Sequence, residues 1–200
     1  MHAVRFYLPR YAGSAAADEW EKEGGPIIMG RQKLLLYAYA ALAIAMMAVI
    51  FWFSAQVGTD SSSKSDAIAA AICEKLIPGF SSLAFDAQDE IFSTVTFAVR
   101  KTAHMTEYAV LGALYCLTLC QLGKIRGIHV RGGGRKGLVA WALAVAYAST
   151  DEIHQLFVDG RSGMASDVVI DSIGAAVGIL LVLAVLKRQE KKQGSGSAQS

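Results

Sequence analysis

The 200-residue chain is short of charge and short of cysteine. Charged residues make up 18% of it, against about 25% in an ordinary soluble domain, while hydrophobic residues make up 54% and the mean hydropathy is +0.38. That balance disfavours a cytosolic enzyme. Neither sign of charge dominates: 19 Lys and Arg face 17 Asp and Glu, a formal net charge of +2. Such a chain offers no broad basic field for nucleic acid. Three cysteines are too few for a disulfide framework, since Cys116 and Cys120 fall inside one apolar run and leave Cys73 alone. Neither a disulfide nor a structural zinc site is implied.

What the chain has instead is long apolar runs. Residues 34–53, LLLYAYAALAIAMMAVIFWF, carry no charge, and at ~1.5 Å per residue such a run crosses a hydrocarbon core of ~30 Å. It exceeds a signal-peptide core and lacks a small-x-small cleavage pattern after it, so it reads as an uncleaved signal anchor. Three further runs, 103–122, 138–157 and 168–186, have polar residues at one end. Backbone groups in lipid must be satisfied within the segment, which makes each run a helix; the alternation of a barrel strand is absent. The expected fold is an all-α integral membrane protein: a four-helix transmembrane bundle over 34–186 with short extracytoplasmic interfacial helices. It is preceded by a polar segment, 1–33, part of which reads as a leader because Met29 would itself serve as a start, and followed by a basic, flexible tail, 187–200.

Orientation follows from Lys and Arg. Arg31 and Lys33 immediately before the first run, five Lys and Arg in the loop 123–137 and four in the tail make eleven, against five in the segment 54–102 and the loop 158–167. Both termini are expected in the cytoplasm. Within the outer segment, 67–77 and 86–99 are moderately apolar and separated by Pro78-Gly79, which suits two short helices on the bilayer surface or a packed cap. Ser61-Ser62-Ser63 reads as a linker, and Gly194-Ser195-Gly196-Ser197 as flexible chain.

With this topology nearly every unusual polar residue falls at one membrane face. Ser54 and Gln56 end the first helix; Arg100, Lys101, His104 and Glu107 open the second; Asp151, Glu152, His154 and Gln155 close the third; Arg161, Asp167 and Asp171 lead into the fourth. Ionisable groups at membrane depth cost at least about 2.5 to 3.5 kcal/mol each, so they mark a site by default. His104 with Glu107 and Asp151 with His154 are spaced i, i+3, and Asp167 with Asp171 i, i+4, so each pair shares a helix face. The plain alternative is an ion-paired network in which Arg100, Lys101 and Arg161 neutralise the acids.

Two chemistries fit such a cluster. His104, Glu107, Asp151, Glu152 and His154 are candidates for general acid and base work. Alternatively His104, Glu107, Asp151, His154 and Asp171 could hold a divalent metal, although HxxE and DExH lack the HExxH order of the helical zinc motif; no cofactor is otherwise expected. Arg100, Lys101 and Arg161 suit a phosphate or carboxylate at headgroup depth, with Ser54, Gln56, Gln155, Asp167 and Asp171 as further ligand-binding candidates. The expected partners are the bilayer and an anionic lipid or lipid-linked precursor, with no nucleic acid. Gly174 and Gly178 form a GxxxG pattern for close packing inside the bundle or, less favoured, a homodimer. Trp52 and Tyr108 suit an aromatic belt, Met46 and Met47 lipid or core, and the Gly132-Gly133-Gly134 loop flexibility.

At these residues the chain resembles a family. Arg100-Lys101-Thr102-Ala103-His104-Met105-Thr106-Glu107-Tyr108 with Leu111-Gly112, then Tyr147-Ala148-Ser149-Thr150-Asp151-Glu152-Ile153-His154-Gln155-Leu156-Phe157 with Gly160-Arg161, Asp167, Asp171, Gly174 and Gly178, and Phe53-Ser54-Ala55-Gln56 before them, are similar to the signatures of the VanZ-like bacterial membrane proteins. That family is named for its teicoplanin-resistance member. The sequence departs from the pattern at Ala55, where a second serine is common, at Asp159, where a proline is, and near Asp171 or Ser172, where asparagine is frequent. The resemblance implies a polytopic membrane protein of the cell envelope linked to lowered susceptibility to teicoplanin-type glycopeptides, without fixing a reaction. The expected function is binding of an anionic lipid or cell-wall precursor at the outer face. The alternative is an intramembrane hydrolase or transferase acting on such a lipid, and a transporter is disfavoured because the polar residues line no route across.

Overall fold

A computed structural model describes residues 25–126 and 134–196. Five α-helices, α1 Gly25–Ser54, α2 Gly58–Leu76, α3 Phe85–Ile125, α4 Gly134–Gln155 and α5 Ala165–Gly196, make up nearly all of it, with a short 3-10 turn at Phe80–Ser82. No strand occurs among the described residues. The polar stretch 1–24, the glycines 132 and 133 and the last residues 197–200 lie outside the described residues.

Several boundaries differ from the sequence expectation. Helix α1 extends back through Arg31 and Lys33 to Gly25, with Pro26 in the first turn, where its missing N–H costs nothing. The three serines 61–63 lie in the early turns of α2 rather than in a linker, a placement serine tolerates well. The stretch 86–99 is not a separate surface helix but the start of α3, which runs unbroken for 41 residues. That is roughly 60 Å of helix, about twice a hydrocarbon core. Nothing in 86–102 breaks it, since the segment holds neither glycine nor proline. Its first half packs against α2, so the segment after α1 is a helical hairpin whose turn uses Gly79 at φ 74°, a left-handed conformation that glycine adopts without strain. The tail likewise continues α5 to Gly196, because Lys187 to Lys192 are good helix formers.

Among the described residues three helical segments are long and apolar enough to cross a membrane: Met29–Ser54, Phe85–Ile125 and Ala165–Lys192. Helix α4, the fourth expected span, does not meet that criterion of length and composition. This helix exists, but its last turns, Asp151-Glu152-Ile153-His154-Gln155, dilute its apolar character, and it stops at Gln155 rather than 157.

Helix α3 is the central element, packing most extensively on α5 and next on α1, while α4 lies against α5 and α3. The contacts are close because they are lined by small residues. A Cβ on Gly112 would stand 2.7 Å from the Ala175 carbonyl oxygen, and Cβ atoms on Gly174 and Gly178 would collide with the Met105 and Ala109 carbonyl oxygens. The GxxxG pair is thus spent on α3 of the same chain, as small-xxx-small stripes are when lipid supplies no hydrophobic drive between helices. The core is correspondingly alanine-rich: Ala43 and Ile50 of α1, Tyr108 and Leu111 of α3, Ala144 and Ala148 of α4 and Ala175 of α5. Met46 and Met47 pack partly buried against it. Leu34, Ile44, Leu138, Leu143, Leu180 and Leu181 face outward, the reverse of a soluble bundle.

Candidate functional site

The end of α1, the middle of α3, the end of α4 and the start of α5 meet at one end of the bundle, and they bring the unusual polar residues together. At its centre is Asp151. Its Oδ2 accepts a hydrogen bond from Ser54 Oγ at 2.7 Å and another from Gln155 Nε2 at 3.1 Å, and Gln155 Nε2 also approaches Ser54 Oγ at 3.3 Å. All three side chains are buried, and Asp151 and Gln155 are one helical turn apart. Asp151 is thereby held in one orientation, leaving its buried Oδ1 without a hydrogen-bond partner.

Glu152 points to the other side of α4. Its Oε2 accepts the Met164 backbone N–H at 2.8 Å, which pins the connection 156–164 across the end of the bundle. Gly163 packs there against the Glu152 carbonyl oxygen, and a Cβ at 163 would collide with it. Gly160 takes a φ of 71° in the same connection. Arg161 then reaches across to α1: Nη2 donates to the Phe53 carbonyl at 2.7 Å and Nε to the Gln56 carbonyl at 3.1 Å. It caps orphan carbonyls at the end of α1, where a cation also suits the helix dipole. Burial lowers the pKa of Arg161 from the ordinary arginine value, Arg100 acts the same way, and Asp151, Glu152 and Glu107 oppose them.

Lys101 of α3 forms an ion pair with Asp167 in the first turn of α5 and lies over the Phe97 ring, 5.1 Å from its centroid. His154 stacks on Phe51 at 4.6 Å between ring centroids. His104 is half-buried, within electrostatic reach of Asp151, Asp167, Lys101 and Arg161; Glu107, also half-buried, is within reach of Asp151 and Arg161. Asp171 is completely buried and within electrostatic reach of Glu152, Asp151, Asp167 and Glu107. It lies one turn beyond Asp167, because α5 starts at Ala165, early enough to align them. Gln56 stands apart: its side chain accepts from Lys64 at 2.7 Å, and only its backbone carbonyl joins the cluster.

Lys101 is engaged with Asp167, and Arg161 with backbone carbonyls. Buried atoms without a hydrogen-bond partner are His104 Nδ1, Tyr108 Oη, Asp151 Oδ1, Glu152 Oε1, His154 Nε2 and both oxygens of Asp171. Buried polar groups are ordinarily satisfied, so this concentration at one end of the bundle is what a ligand or ordered water would complete. No group of three His, Cys, Asp or Glu side chains converges as a set of metal ligands among the described residues.

Sequence reasoning missed three contributors. Tyr108, assigned to an aromatic belt, is fully buried, one residue after Glu107 and within 6.3 Å of the Tyr147 ring; its position in the His104–Tyr108 motif was the available signal. Tyr147 donates to the Met47 carbonyl at 2.7 Å, and Phe51 carries His154. Neither contact has a signature in sequence, since both join residues about a hundred apart.

A helical bundle with three segments long and apolar enough to cross a membrane, and with a cluster of carboxylates and histidines at one end, has the make-up of a membrane protein. Residues 39–187 match the VanZ/LLP1 family, and the chain belongs to that family. No curated protein and no solved structure matches it.

Proposed function

We propose that the protein lies in the bacterial cytoplasmic membrane with α1, α3, α4 and α5 as four crossings, both termini in the cytoplasm and the polar site at the extracytoplasmic face. The outward apolar side of α4, with Leu138 63% and Leu143 47% exposed, supports its contact with lipid, and its 22 residues reach ~33 Å. We propose further that the site binds the headgroup of an anionic lipid-linked cell-wall precursor and by that route lowers susceptibility to teicoplanin-type glycopeptides. The observation that carries the reading is the set of buried, unpartnered acceptors: Asp151 Oδ1, Glu152 Oε1 and both Asp171 oxygens. Free acceptors call for a ligand rich in donors, such as the hydroxyl and amide groups of a sugar-peptide headgroup.

A second reading, an intramembrane hydrolase or transferase on such a lipid, is favoured by one feature. His104 presents a buried, unpartnered Nδ1 near Asp151, which Ser54 and Gln155 orient as a base-orienting carboxylate is held. His104→Ala, Glu107→Ala and the double variant separate these readings. If the residues act as one unit, each single change removes most function and the double adds little. Retained lipid with lost function indicates the enzyme, and lost lipid, read by mass spectrometry of gently purified protein, indicates the binder. Normal function in His104→Ala, or a loss matched by reduced membrane-inserted yield, overturns both.

A further inference from the structure

The opposite end of the bundle carries a second, differently built feature. Between the end of α3 and the start of α4 lies a groove of about 280 Å³, room for roughly nine waters. Its floor is apolar, formed by Leu119 and Leu122 of α3 and Val139 of α4, and its rim carries three cations, Arg126, Arg135 and Lys136. None of the three forms an ion pair among the described residues, where the pair recorded is Lys101 with Asp167. No acidic residue lines the groove; Glu190 of α5 reaches the neighbouring Cys120 electrostatically without joining the wall. Cations converging above an apolar floor, at the end of helices that cross a membrane, are complementary to one kind of molecule: a phosphate headgroup with hydrocarbon attached.

We infer that this groove is a binding site for an anionic phospholipid of the adjoining leaflet, with Arg126, Arg135 and Lys136 on the phosphate and the acyl chain along Leu119, Leu122 and Val139. The charge complementarity selects anionic over zwitterionic lipid, and the apolar floor selects a lipid over a soluble phosphate. The site is separate from the polar cluster, since the two lie at opposite ends of α4, and does not depend on what that cluster does. Bound there, a phospholipid would join α3 to α4, which are connected on this side by the loop between Ile125 and Gly134.

Binding is measured on the full chain in a maltoside detergent by native mass spectrometry and by thermal shift, with phosphatidylglycerol, phosphatidylcholine and inorganic phosphate as probes. Phosphatidylglycerol is expected to bind at least about tenfold more tightly than phosphatidylcholine. Each cation replaced by glutamine should weaken it about fivefold, and Arg126→Gln/Arg135→Gln/Lys136→Gln about a hundredfold. Lys187→Gln/Arg188→Gln, equal in kind but off the groove, should leave the affinity within about twofold. Equal binding of the two lipids, competition by inorganic phosphate at comparable concentration, or an equal loss in the Lys187/Arg188 variant overturns the proposal. Should the triple variant not insert, the single variants Arg126→Gln and Lys136→Gln decide it, since no weakening in either is also contrary.

Discussion

Asp151 shows how a single buried carboxylate is held. Two neutral donors, Ser54 on one helix and Gln155 on its own, fix one oxygen and leave the other for something else. Leaving a buried polar group unsatisfied costs about 1 to 3 kcal/mol, so Ser54→Ala is expected to destabilise the bundle by about that much. Ser54→Thr, which keeps the hydroxyl, should do so less. Thermal unfolding of the purified variants in detergent reads the difference, and equal stability of Ser54→Ala and the parent would mean that the hydroxyl does not hold Asp151. The Lys101–Asp167 pair tests the charges in the same way. Both side chains are about 15% exposed, and removing one partner strands the other in poor solvent. Lys101→Met is expected to be more destabilising than Lys101→Met/Asp167→Leu, with a coupling of roughly 0.5 to 3 kcal/mol in the double-mutant cycle.

Elements are joined here mainly by closeness rather than by bulk. Helices α3 and α5 touch through Gly112, Gly174 and Gly178, at each of which a side chain would meet backbone and not a flexible neighbour. Gly178→Ala and Gly174→Ala are therefore expected to cost about 1 to 3 kcal/mol each through overpacking. Gly30, on α1, has open space around it, so Gly30→Ala should be neutral or stabilise by about 0.5 to 1 kcal/mol through backbone entropy alone. Comparing the three unfolding temperatures in one detergent checks the argument; a Gly178→Ala protein as stable as Gly30→Ala would refute it. The packing also sets the site, since the α3–α5 contact that places Gly174 on Met105 accompanies Asp171 coming within electrostatic reach of Glu107.

At the scale of the whole molecule the prediction concerns sidedness. With the buried native cysteines replaced, a single cysteine at Gly160 should react with an impermeant thiol reagent in intact cells, and one at Lys136 only after permeabilisation. The two positions bracket α4, so the experiment also asks whether that helix crosses. Labelling of both positions in intact cells would show that it does not, and labelling of position 136 alone would show the reverse orientation.

The amino-acid sequence by itself determined that the chain is helical and membrane-borne, because long uncharged runs have no other stable form in lipid. It also determined which polar residues are exceptional, because each is costly in an apolar run. The i, i+3 pairs of His104 with Glu107 and Asp151 with His154 were legible for the same reason: spacing along one helix is local. Only the tertiary structure decided that 86–99 continues α3, since amphipathic character does not distinguish a surface helix from the projecting end of a long one. It alone decided that Arg161 caps α1 and that Lys101 takes Asp167, which turns two of the three expected anion-binding cations inward. Ser54 and Asp151 are 97 residues apart, and such contacts follow from how helices pack, which no local pattern encodes.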